Sequence, residues 1–170
     1  MTQSVYDELR EKLQTATKST HPKGMVSKLA DAFEDAFLEE TTIPDGAFDL
    51  FVEIFSDERL CKLPGLSWFI GVFFTDFDKL SEAQRGRLLE VFSAGSAHYS
   101  DEMTRHAIGD FIARKYSPEQ AVSCFSAMMR TASAHAKQIA LTGTDILMKR
   151  TPSSSPLYEQ IDAIWSEAQQ

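Results

Sequence analysis

Val52-Glu53-Ile54-Phe55-Ser56 returns, about 36 residues further on, as Leu89-Glu90-Val91-Phe92-Ser93. Ile70-Gly71-Val72-Phe73-Phe74 returns likewise as Ile108-Gly109-Asp110-Phe111-Ile112. A helix-start signal travels with them, Leu80-Ser81-Glu82-Ala83-Gln84 matching Tyr116-Ser117-Pro118-Glu119-Gln120. A period in this range with two helical stretches per unit is how stacked helical hairpins look in sequence.

Working outward, Phe48, Phe51, Val52 and Phe55 open a helix after the Pro44-Asp45-Gly46 turn, and Leu63-Pro64-Gly65 closes it. The next stretch, about 66–79, is apolar nearly all round through Trp68, Phe69, Ile70, Val72, Phe73, Phe74 and Phe77, which places it at the centre of the fold. Ser81 with Gln84 and Ser117 with Gln120 are capping boxes, in which the serine oxygen accepts an orphan N–H and the glutamine reaches back. Between them Ser100 is expected to cap a helix that buries Ala107, Ile108, Phe111 and Ile112, and Ala136, Ile139, Ala140, Gly143 and Leu147 mark the last long helix. Upstream, Ser4 caps a helix with Val5, Leu9 and Leu13 on one side, and Met25, Val26, Leu29, Phe33 and Phe37 make the wider face of a second. Gly71 and Gly109 are expected to serve close helix packing, since each sits inside an apolar helix.

The expected fold is therefore all-α, a right-handed stack of antiparallel helical hairpins with about eight helices. A single domain spans 1–150, Thr151-Pro152-Ser153-Ser154-Ser155-Pro156 is a linker, and 157–170 forms a C-terminal docking helix through Leu157, Ile161, Ile164 and Trp165.

Composition narrows the function classes. With 43% hydrophobic and 25% charged residues, the 170-residue chain has the balance of an ordered globular domain. Its net charge of −8 and the lack of a Lys/Arg cluster speak against nucleic acid as a partner. The longest apolar run is far short of the ~20 residues of a membrane span. The start, Met1 to Glu8, has no secretory pattern, so a cytoplasmic protein with Cys61 and Cys124 as buried, reduced thiols is expected.

The units from about Pro44 to Ser81, Ser81 to Ser117 and Ser117 to Arg150 resemble HEAT or armadillo-like hairpins, over about two thirds of the chain. HEAT units typically carry a Pro in the first helix and an Asp and Arg at the turn, which this chain does not repeat, so the resemblance extends to architecture alone. It implies a curved stack whose second helices line a concave side used to bind other proteins.

Aligning those second helices sets Trp68 opposite His106, Val72 beside Asp110 and Asp145, and Asp76 beside Arg114 and Lys149. Read structurally, Asp110 and Arg114 are an i,i+4 ion pair of about 0.3–0.5 kcal/mol and Trp68 packs in the core. Read functionally, they form columns across a binding face with Trp68 as anchor. Asp31, Glu34, Asp35, Glu39 and Glu40 make an acidic cluster, either a solvated helix face or a dock for basic residues. His98, Glu102 and His106 are spaced as metal ligands on one helix, but Ser100-Asp101 breaks the row, so no metal or cofactor is expected. No phosphate loop, GxSxG or HExxH occurs.

The expectation is a non-enzymatic protein-interaction module, a monomer or homodimer that binds another, basic protein. A sharper version is an acidic inhibitor or immunity-type protein. The expected binding residues are Trp68, Asp76, His106, Asp110, Arg114, Asp145, Glu34 and Asp35. The alternative is a binder of small or hydrophobic ligands, or an enzyme, using the Phe-rich centre.

Overall fold

The computed structural model describes residues 3–170; Met1 and Thr2, which began the stretch read for a secretory signal, lie outside the described residues. The described residues are all-α and contain no strand. Among the described residues nine α-helices follow one another: α1 (Val5–Ala16), α2 (Pro22–Asp35), α3 (Asp45–Ser56), α4 (Ser67–Thr75), α5 (Glu82–Gly95), α6 (Glu102–Lys115), α7 (Pro118–Met129), α8 (Ala134–Arg150) and α9 (Tyr158–Ala168). Short 3-10 turns occupy Leu60–Lys62 and Phe77–Lys79. Among the described residues no helix is long and apolar enough to cross a membrane.

The helix starts are set locally. Both capping boxes form: Ser81 Oγ accepts from Gln84 N at 3.1 Å while Ser81 N donates to Gln84 Oε1 at 2.9 Å, and Ser117 with Gln120 repeats the exchange. Ser4 caps α1 by accepting from Asp7 N. The cap of α6 is Asp101, whose Oδ2 accepts from Thr104 N at 3.1 Å, and not Ser100 as expected. A carboxylate there gains from the helix dipole, which a hydroxyl would not.

Alternate helices touch. α1 packs on α3, α3 on α5, α5 on α7 and α7 on α9, while α2 packs on α4, α4 on α6 and α6 on α8. Within consecutive pairs, α1 also packs on α2 and α7 on α8, and α9 rests on both α7 and α8. Aromatic rings pack within and between the two series. Phe51 of α3 stacks on Phe73 of α4 with centroids 4.2 Å apart, Phe55 meets Phe92 edge-on at 5.4 Å, and Phe92 meets Phe111 of α6 at 5.9 Å. Such pairs add about 0.5–1.5 kcal/mol each beyond burial. The quoted pentapeptides thus fall on neighbouring helices, with Phe55 and Phe92 both fully buried.

Tyr99, also fully buried, donates its hydroxyl to Phe55 O at 3.0 Å and lies 3.3 Å from Val91 O, tying the end of α3 to α5. Burial drives its ionisation well above the usual tyrosine range. Cys61 and Cys124 are both free and buried.

The stretch 66–79 differs from the expected all-round apolar helix. It breaks after Thr75 at Asp76 (φ −99°, ψ 25°), and one side of α4, carrying Trp68, Gly71 and Thr75, faces outward. Its main neighbours are α2 and α6, and the side carrying Trp68, Gly71 and Thr75 is left exposed among the described residues.

Candidate functional site

α4 packs on α6 and α6 on α8. Trp68 is 56% exposed, and Met103 on the adjoining α6 is 57% exposed. One helical turn beyond Trp68, Gly71 is exposed, and a Cβ built there meets nothing within 4 Å. The close-packing role expected of Gly71 is therefore wrong. It holds for Gly109, where a Cβ would come within 2.7 Å of Ile139 O and 3.0 Å of Thr142 Cβ on α8.

Of the expected binding residues, Trp68 and His106 are exposed, whereas Asp110, Asp145 and Glu34 are half-buried. The columns do not link helix to helix among the described residues. Asp110 accepts from Arg114 Nε at 2.7 Å and Asp145 from Lys149 Nζ at 3.0 Å, each within its own helix. Asp76 turns inward: its side chain is 14% exposed, it pairs with Lys79 at 3.6 Å, and its Oδ2 is buried without a hydrogen bond among the described residues. It does not stand beside Arg114 and Lys149 as a surface charge, because α4 ends one residue before it.

Glu34 and Asp35 close α2, followed by exposed Leu38, Glu39 and Glu40. None of these carboxylates, nor Asp31, forms an ion pair among the described residues. Carboxylates at a helix C-terminus are opposed by the helix dipole, so helix stability does not explain them. Tyr6, partly desolvated and close to Glu40, has its hydroxyl pKa raised by burial and then by that charge.

His106 and Asp145 do share one place. A groove of about 390 Å³ runs between α6, α8 and α9, lined by both residues together with Leu141, Ile146 and Trp165. It continues past His106, Leu141 and Thr142 into a pocket of about 210 Å³ reaching Glu102, Arg105 and Gln138. Arg105 and Gln138 were not singled out in the sequence. The available signal was an arginine three residues before Ile108, on the buried stripe of α6. Trp165 reads in the sequence as part of a terminal helix that docks as a cap or serves as a partner-binding tail, and it is the docking of α9 on α8 that carries it to His106.

A second groove, about 490 Å³, lies between α5 and α7 over Leu89, Ser93, Ser123, Cys124 and Ala127, with Glu90 and Glu119 at its rim. At its floor Cys124 Sγ approaches Leu89 O at 3.7 Å, and desolvation pushes the thiol up to about 12. A thiol held protonated at neutral pH is a poor nucleophile.

The metal row is broken. α5 ends at Gly95 and α6 begins at Glu102, leaving His98 on the connection, and the described residues contain no group of three or more metal-ligand side chains.

No known relative was found. No family model matches the chain, and no curated protein or solved structure matches it. The resemblance to HEAT or armadillo hairpins therefore has no family match behind it, and an all-helical domain of packed helix pairs is what stands.

Proposed function

We propose that this chain is a non-enzymatic module that binds another protein through the outward face of α4 and α6, with Trp68 as its anchor. The observation that carries this is the pairing of exposed Trp68 with Gly71 on one side of α4. A glycine inside a helix costs about 1 kcal/mol relative to alanine, and nothing inside the chain uses the space it leaves. Beside an exposed tryptophan, the residue type most enriched at interface hot spots, that space admits a partner's backbone. Met103 is a second exposed apolar side chain, on the helix packed against α4.

The partner is a basic protein. Net charge is −8 and the carboxylates of Asp31, Glu34, Asp35, Glu39 and Glu40 have no cation of their own among the described residues, which suits long-range steering of a cationic surface. An inhibitor or immunity-type role is the sharper form of this proposal. The contacts between alternate helices support a stack of hairpins as its architecture. A small ligand lodged in the Phe-rich centre is the second reading. It would need Phe33 and Phe51, both fully buried and each in ring contact with buried Phe73, to part from it.

The test is affinity capture at low ionic strength with the intact chain and with Trp68→Ala and Gly71→Arg. A basic protein retained by the parent, released by salt and lost from both variants at unchanged thermal stability is the expected result. Equal capture by all three would refute the assignment of this face.

A further inference from the structure

Arg105 is 8% exposed and sits on the buried stripe of α6. Its Nε donates to Gln138 Oε1 at 2.5 Å, and its Nη1 donates to Tyr99 O and Ser100 O, both at 2.8 Å. Arg10, Arg85, Arg87 and Arg114 each have a carboxylate within 4 Å, but Arg105 has none among the described residues. A guanidinium withdrawn from water without a counter-charge is costly, and a matching anion would offset that cost. Nη2 makes no hydrogen bond among the described residues and is not sealed off from solvent. It is the free edge of a side chain that lines the pocket of about 210 Å³ with His106 and Gln138.

We propose that the groove between α6, α8 and α9 binds a small apolar carboxylate. One carboxylate oxygen takes Nη2 of Arg105 and the other the imidazole of His106, while an aryl or alkyl body lies along Leu141, Ile146 and Trp165. The donors decide the head group. With Nε and Nη1 committed, the two-pronged fork that favours phosphate is not offered, and one Nη2 beside one imidazole suits a single carboxylate. Glu102 also lines this pocket, so a dianion is disfavoured more than a monoanion. The adjoining chamber of about 390 Å³ offers Leu141, Ile146 and Trp165 to an apolar body, while Asp145 on the same lining, paired with Lys149 at 3.0 Å, is a second carboxylate that disfavours a dianion. Trp68 lines neither chamber of this site, so Trp68→Ala should leave it intact.

The probes are 3-phenylpropionate, its neutral amide 3-phenylpropionamide, and inorganic phosphate, titrated into the full chain and followed by the NMR signals of the His106 imidazole and the Trp165 indole. Saturable shifts with 3-phenylpropionate at a Kd of about 1 mM are expected, with the amide weaker by about tenfold because it brings no charge to Arg105. Glu102→Gln, an exposed position, should tighten binding by about threefold by removing the repelling carboxylate. Arg105→Gln should abolish binding. Because Arg105 also holds two loop carbonyls, His106→Ala, at an exposed position, is the companion variant and should weaken binding without loss of fold. Any one of four results overturns the proposal: no saturable shift, equal affinity for acid and amide, phosphate binding as tightly as 3-phenylpropionate, or no effect of Glu102→Gln.

Discussion

Gly71 and Gly109 occupy matching places in the two quoted segments, yet alanine at each should move stability in opposite directions. At Gly71 an added methyl meets open space, so the helix propensity gain stands alone and Gly71→Ala should stabilise by about 0.5–1 kcal/mol. At Gly109 the same gain is opposed by a Cβ that would lie 2.7 Å from Ile139 O, 3.0 Å from Thr142 Cβ and 3.2 Å from Gly143 N. Two of these three atoms belong to the α8 backbone, so no rotamer change relieves the crowding. α8 must retreat by about 0.5–1 Å, which forfeits a quarter to a half of the local dispersion energy along the seam. Overpacking of this kind costs about 1–3 kcal/mol. With the clash against backbone the upper part of that range applies, and after subtracting about 1 kcal/mol of propensity a net loss of about 2 kcal/mol remains. Urea denaturation followed by far-UV circular dichroism measures both variants, with the melting temperature of Gly109→Ala falling by roughly 4–8 °C. Gly109→Ala at or above parental stability would refute the close approach of α6 and α8. A Gly71→Ala loss exceeding about 1 kcal/mol would refute the open side of α4.

Other perturbations follow from single features. Ala132, between α7 and α8, holds φ at 54°, a left-handed conformation that costs a non-glycine residue about 1–2 kcal/mol. Ala132→Gly should therefore raise the urea midpoint, and an unchanged or lowered midpoint would count against that backbone. Burial pushes the Cys124 thiol up to about 12, compared with about 8.5 in an open chain. The folded state thus keeps its proton longer than the unfolded state, and the stability present below pH ~8.5 is lost as pH rises toward 12, at up to about 1.4 kcal/mol per pH unit. Buried Tyr99 and Tyr116, both shifted upward by desolvation, act in the same direction at higher pH. Denaturant midpoints measured between pH 8 and 11 should fall, and Cys124→Ala should flatten the first part of the decline; a flat profile in the parent would contradict the burial. Finally, charge reversal of Glu34 and Asp35 to lysine should leave folding intact or slightly improved, since cations suit a helix C-terminus. The same change should weaken capture of a basic partner and reduce its salt dependence; unaltered capture would remove this end of α2 from the surface.

Much of the local structure was legible from neighbours within four residues. Serine with glutamine three places on fixed the starts of α5 and α7, and the spacing of Phe33, Phe51, Phe55, Phe92 and Phe111 marked faces that are all fully buried. These signals survive in sequence because capping and helical periodicity are short-range. Asp101 displaced Ser100 as the cap of α6 for an equally local reason, two adjacent cap formers of which only one fits the helix start.

The sequence by itself determined that the described chain is helical, where most helices begin and which rings go inside. Only the tertiary structure decided what each exposed or buried polar position is for. Trp68 is outside because α4 packs mainly on α2 and α6 and its remaining side is exposed among the described residues, and Gly109 is packed where Gly71 is open because α6 has α8 against it. Arg105 is withdrawn from water into a pocket it shares with His106, beside the groove that Trp165 lines, because α6, α8 and α9 converge there. Exposure and proximity depend on which distant segment occupies the adjoining space, and residues three or four apart do not carry that information.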